Sequence, residues 1–289
     1  MAGVSPEAMG KAPRRYRPSL VDERWLSPQQ QRAIDHQRAL ILRREAGEAL
    51  AARRLPMLNL AQRLEPHLGG GGPSPVPTTL ASSRYMHVIK DRACGHLWEM
   101  VDGLSPSPQL FTAVPHGGDI AVDQLANFSP KGLVDQLRSS LYECGVAGQR
   151  GILFAVLEAE FQIRTQLFRF HWHGIASGGK LEVLDSARHH RFFHSPRRKA
   201  GEPKPDVSYR MNIRSGALYD LPNPLTYLIK PWFARWTNDA GKRGPRCRLP
   251  DDAMAQALLW LDRWSFSDVN LMMGVRCRRN GFTILNLHE

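Results

Sequence analysis

Two histidines separated by one residue, His171-Trp172-His173, sit in the run Phe168-Arg-Phe-His-Trp-His-Gly-Ile-Ala176. On a β-strand alternate side chains share a face, so the two imidazoles project together, about 6.6 Å apart along the strand. That spacing lets both reach one metal ion. Further along, Tyr227-Leu-Ile-Lys230 places a tyrosine and a lysine three residues apart, on one face if the segment is helical. A phenol with a pKa near 10 is a poor nucleophile at neutral pH. Its attack on a phosphodiester becomes feasible when a metal polarises a non-bridging oxygen and a cation steadies the phosphate or the phenolate. The two pairs together therefore suggest metal-assisted phosphodiester cleavage by a tyrosine.

A carboxylate belongs to the same constellation. The apolar run Gly151-Ile-Leu-Phe-Ala-Val-Leu157 ends in Glu158-Ala-Glu160, and reads as a strand forming a hairpin with 167–175. A tight turn near Arg164-Thr165 puts Glu158 opposite His171. A slip of two residues puts Glu160 there and Glu158 opposite His173. Under either register an acid shares the face of the imidazoles, because residues of equal parity point together. Two neutral nitrogens and one carboxylate suit a divalent ion with open positions, Mg²⁺ or Mn²⁺ if phosphate and water complete the shell. Glu158 and Glu160 are both candidate third ligands.

The elements that must position these residues read as follows. Residues 1–68 form a basic N-terminal arm with one long helix. It starts at a capping box, with Ser27 as N-cap, Pro28 first and Gln30 reciprocating, and runs to about Leu55. Gly69-Gly-Gly-Gly-Pro-Ser-Pro-Val-Pro77 marks a linker over 69–80, flexible and then extended. Residues 81–240 should form the main domain: a helix over 84–101, a strand over 110–114, and a helix striped by Leu133, Val134, Leu137 and Leu141 and stopped at Gly145. The hairpin follows, then a strand over 207–214 and a short helix opened by Asn223-Pro224. Tyr227 would lie in that helix, and Pro231 disfavours helical geometry at Lys230. In 241–289, Pro250 opens a helix and Asn280-Gly281 turns a closing hairpin. The predicted fold is α+β, an antiparallel sheet with helices packed on it, plus an N-terminal helical arm and a small C-terminal helical and hairpin region.

The chain has 289 residues, 42% of them hydrophobic, with a net charge of +12 and a pI near 10.0. Residues 188–246 carry thirteen Lys/Arg against four acids. Such a field suits a phosphate backbone; Arg197, Arg198, Lys199 and Arg214 are the candidate DNA contacts. His189, His190 and His194 lie in the same segment, as further ligands or as part of the basic face. The four cysteines form no Cys-x-x-Cys pair, which argues against a zinc ribbon or a disulfide scaffold. No apolar stretch reads as a signal peptide or a membrane span, so a cytoplasmic protein without membrane contact is expected.

The order of an Ile-Leu-Phe-Ala-Val-Leu-Glu strand, a His-Trp-His-Gly-Ile strand and a Tyr-Leu-Ile-Lys segment resembles the HUH endonucleases. Within them it is most similar to the single-tyrosine initiators of rolling-circle plasmids and filamentous phages. The likeness covers about residues 105–235, with Phe111-Thr112 loosely matching a first motif. It implies an HUH nuclease-like fold whose His171, His173 and Glu158 or Glu160 bind the metal, with Tyr227 as nucleophile and Lys230 as its helper. The activity implied is site-specific nicking of single-stranded or supercoiled DNA at an origin, with a 5′-phosphotyrosine link and a free 3′-OH. Gly174-Ile-Ala-Ser-Gly-Gly-Lys180 has the Gly-x-x-x-x-Gly-Lys spacing but is followed by Leu181 where a nucleotide-binding loop needs Ser or Thr. No complete helicase signature is therefore present, and duplex opening falls to supercoiling or a host helicase. The same residues also fit a mobilisation relaxase or a transposase of that superfamily. A non-catalytic DNA- or RNA-binding protein relying on the basic segment alone is the rival from another class.

Overall fold

In the computed structural model the described residues are 26–65, 75–105, 107–187, 210–214, 218, 221, 223–230, 234–236, 249–278 and 281–285. The long hairpin dominates them. Strands β3 (Leu153–Gln162) and β4 (Leu167–Ala176) pair antiparallel over their whole length, with Glu158 directly opposite His171. This is the first of the two expected registers. The four-residue connection sets it, with Gln166 at φ 55 closing the turn, a left-handed conformation that few non-glycine residues adopt.

On the outer side of β4 lie β1 (Gln109–Ala113) and β2 (Asp119–Ala121), with β5 (Met211–Ile213) beyond β1. On the outer side of β3 lie β6 (Ala234–Trp236) and β7 (Asn270–Met273). These seven strands form one sheet. Its pairing is antiparallel except between β3 and β6, which run parallel; that is one departure from the wholly antiparallel expectation. The coarse α+β class holds.

The two faces of the hairpin are built differently. One carries Phe161, Phe168, Phe170 and Trp172, all buried. Phe170 packs between Phe128 and Trp260 at ring-centroid distances of 5.1 and 5.2 Å, and such aromatic pairs add about 0.5–1.5 kcal/mol each beyond their area burial. Helices α5 (Lys131–Glu143) and α8 (Asp251–Arg263) supply Leu137, Leu141 and Trp260 to this core. The second face carries Phe154, Val156, Glu158, His171 and His173. Phe282 covers Phe154 at 5.8 Å and approaches His96 of α3 (Ser83–Val101) at 6.3 Å. Phe282 belongs to β9 (Gly281–Ile284), the partner of β8 (Val275–Arg278) in the expected closing hairpin.

The N-terminal helix differs from expectation. The capping box forms, with Gln30 N–H donating to Ser27 Oγ and Ser27 N–H to Gln30 Oε1. The helix then ends at Glu48 and a second begins at Ala51, so α1 is Pro28–Glu48 and α2 is Ala51–Leu64. Extended backbone at Ala49 and Leu50 separates them, and α2 carries Pro56 in its interior. Tertiary burial explains the break. Leu42 and Ala46 of α1 bury against Met57, Leu60, Ala61 and Leu64 of α2, together with Leu258 and Leu259 of α8, a contact one straight helix could not make. Asp35, fully buried, accepts hydrogen bonds from Ser82 Oγ, Ser83 N–H and Arg84 Nε, which ties α1 to the start of α3. Two short helices complete the set, α4 (Val122–Leu125) and α7 (Asn223–Thr226), with α6 (Gly178–Ala187) after β4. Among the described residues no helix is long and apolar enough to cross a membrane.

Candidate metal centre

Hairpin pairing alone brings three candidate ligands together. Glu158 and His171 are cross-strand partners, and His173 follows two residues on, so all three project from one face. The Nε2 atoms of His171 and His173 are 3.0 Å apart, and Glu158 Oε2 lies 3.7 and 3.5 Å from them. A triangle with these edges has a circumradius of about 2.0 Å, so an ion just outside its plane can hold each ligand at the roughly 2.0–2.2 Å that imidazole and carboxylate donors require. This cluster could hold a metal ion.

The chemistry of the donors agrees. His171 Nδ1 faces the Arg169 carbonyl at 3.3 Å. A carbonyl only accepts, so Nδ1 carries the proton and Nε2 presents a lone pair. His173 Nδ1 lies 3.1 Å from Thr112 Oγ1. That hydroxyl can accept from Nδ1–H and hold the tautomer in which Nε2 is again a lone pair, the usual second contact of a ligating histidine. Three acceptors then converge on one point. Burial pushes the His173 imidazole down to about 2, with His171 and Lys230 adding to the effect. Burial likewise lowers His171, reinforced by Lys230 and opposed by Glu160. Both rings are neutral at physiological pH, the form that binds metals.

Gly174, next in the motif, has a packing role. A Cβ there would lie 2.5 Å from the Phe111 ring and 2.6 Å from the Phe154 carbonyl oxygen. Only glycine lets β1 lie close against β4 at this point. The resulting register pairs Thr112 with His173, which is how the hydroxyl reaches Nδ1. Thr112 was not foreseen as a site residue. It stands in the Phe-Thr strand singled out in the sequence, but its role depends on pairing between strands some sixty residues apart.

Glu160 lies on the same face, with Oε1 3.9 Å from His171 Nε2, but its cross-strand partner is Arg169. Arg169 is itself engaged by Asp119 at 2.9 Å. Of the two acids left open by the sequence, Glu158 is thus the one that reaches both imidazoles. Glu158→Gln should weaken Mn²⁺ binding by roughly 100-fold or more, while Glu160→Gln, acting from outside the ligand set, should cost less than about 10-fold. Calorimetric titration of the two variants decides this, and equal losses would remove Glu158 from its assigned place.

Tyr227 does not sit in a helix, contrary to expectation. Helix α7 ends at Thr226, and Tyr227 and Leu228 form the turn after it, with Leu228 N–H donating to the Leu225 carbonyl at 3.1 Å. Pro231 is incompatible with a helix through the pair, since it has no N–H to bond the Tyr227 carbonyl and disfavours helical geometry at Lys230. The turn nevertheless keeps the pair together, with Lys230 Nζ 4.0 Å from the centre of the Tyr227 ring. The ring also meets His173 edge to face at 5.2 Å. Lys230 Nζ reaches Glu158 Oε2 at 2.6 Å, a contact the sequence did not suggest.

Arg214, one residue past β5, is exposed and donates its N–H to the Leu110 carbonyl. Arg197, Arg198, Lys199, His189, His190 and His194 lie outside the described residues. No protein-family model, curated protein or solved structure matches the chain.

Proposed function

We propose that this protein is a metal-dependent, site-specific single-stranded DNA endonuclease and strand transferase of the HUH type, initiating rolling-circle replication of a mobile element. The observation that carries the reading is convergence. Tyr227 and Lys230, more than fifty residues from the histidines in sequence, close on the same three-ligand cluster. A phenol beside a divalent-ion site and an ammonium is the set that phosphodiester attack by tyrosine needs.

In this reading Glu158, His171 and His173 hold Mg²⁺ or Mn²⁺. Bound there, the ion supplies polarisation of a non-bridging phosphate oxygen and offsets charge in the transition state. Tyr227 Oη loses its proton and attacks phosphorus. The bond from phosphorus to the 3′ oxygen breaks, the 3′ oxygen leaves as a hydroxyl after taking up a proton, and the 5′ phosphate stays on Tyr227. Lys230 holds its ammonium against the ring and steadies the phosphate charge as it moves. Thr112 and the Arg169 carbonyl fix the imidazole orientations. The basic segment 188–246 holds the DNA backbone without reading its sequence, and strand opening comes from supercoiling or a host helicase.

The test is to incubate the protein with Mn²⁺ and a random-sequence pool of single-stranded DNA, then recover strands that survive denaturation on the protein. Covalently attached DNA with a common junction is expected. If ion and DNA both bind and nothing attaches, the protein is a non-covalent nucleic-acid binder.

A further inference from the structure

One carboxylate oxygen serves two roles in this site. Glu158 Oε2 is the shared vertex of the contacts to His171 Nε2 and His173 Nε2, and it also receives Lys230 Nζ at 2.6 Å. The pair is nearly closed to water, with side-chain exposures of 9% for Lys230 and 11% for Glu158. An ion about 2.1 Å from that oxygen would stand within roughly 5 Å of the ammonium, inside one Debye length and poorly screened. A double and a single positive charge repel strongly at that range. The lysine stem is flexible, and the Tyr227 ring face already lies 4.0 Å from Nζ, a place where an ammonium is attracted.

We propose that Lys230 and the divalent ion compete for Glu158 Oε2, so that loading the ion releases the Lys230 ammonium from the carboxylate towards Tyr227. This rests on the metal reading of the cluster and adds an order of events to it. Without the ion, Lys230 neutralises a carboxylate that would be costly to bury alone. With the ion, Glu158 is neutralised by the metal and the lysine serves the phenol. Lys230 is then a positioning residue that couples ion loading to arming of the nucleophile. A lysine that only held Glu158 in place would make the opposite prediction, since its removal would loosen a ligand and weaken the metal.

Affinity therefore decides between them. The full-length protein and its Lys230→Met and Lys230→Arg variants are titrated with Mn²⁺ at fixed ionic strength. Lys230→Met should bind Mn²⁺ about tenfold or more tightly than the wild type, because a repelling charge is gone, and Lys230→Arg should stay near the wild type. Equal or weaker binding by the Met variant overturns the proposal, as does an absence of Mn²⁺ binding in every protein. The wild type gives a second readout that does not depend on a variant folding. Acetic anhydride labelling of Lys230, read by mass spectrometry, should rise severalfold when Mn²⁺ is added, and unchanged or reduced labelling counts against release. Tighter binding by Lys230→Met in a protein that never forms a DNA adduct would leave this competition standing while removing the strand-cleaving function.

Discussion

Replacing Tyr227 by phenylalanine should yield a folded protein that binds Mn²⁺ and DNA and forms no covalent adduct at all. The variant keeps the ring that packs edge to face on His173 and under Lys230 and removes only the oxygen that would attack. Losing one hydrogen-bonding hydroxyl costs roughly 0.5–1.5 kcal/mol, a modest drop in melting temperature. Chemistry responds differently, because a ring without its hydroxyl cannot form a phosphate ester. The adduct should fall below detection, not merely slow. Peptide mapping of adduct trapped from the wild type identifies the atom. A phosphonucleotide on Tyr209 or Tyr219, both outside the described residues, would move the nucleophile to another tyrosine while keeping the reaction class.

Loss of both imidazoles should be nearly as severe for a different reason. In the double variant His171→Ala, His173→Ala the carboxylate of Glu158 remains, still engaged by Lys230, but two of three converging donors are gone. Mn²⁺ affinity should collapse, and adduct formation should fall by about 10³-fold or more, since electrostatic stabilisation of the transition state is usually the largest single contribution to catalysis. DNA affinity and its salt dependence should change little if, as proposed, they come from phosphate contacts made by the basic segment. Adduct formation by this variant at the wild-type rate in the presence of a chelator would end the metal assignment. A parallel loss of DNA binding would mean that the histidines hold the substrate instead.

Several of these features are local and could be read from the chain. The hairpin and the shared face of Glu158, His171 and His173 follow from strict alternation about a short turn, and the sequence left open only a two-residue slip. The capping box at Ser27 and the closing hairpin around residue 280 are equally local. What stayed hidden depends on segments far apart. Asn223-Pro224 does open a helix, but it ends at Thr226, one residue short of Tyr227, and the Tyr227–Lys230 pair meets across a turn. Gly47, two residues before Ala49, is the local sign of the break between α1 and α2, and burial against α8 is what the break serves. Thr112 and the contact between Lys230 and Glu158 required β1 and the Tyr227 turn to be docked on the hairpin, and no periodicity encodes docking.

The pairing of β7 with β3 bears on how the chain comes to be folded as it is made. Leu153 to Val156 pair in register with Met273 to Asn270, so among the described residues this stretch of β3 gains its partner on that edge only when residue 270 emerges from the ribosome. During that interval alternate residues of the strand, Leu153 and Ala155, present bare amide and carbonyl groups on that edge, the template on which edge strands aggregate. Closing so long a loop is slow. Residues 81–240 produced alone would keep that edge permanently open, so the unit that can be expressed and stored extends well beyond the residues that carry the chemistry.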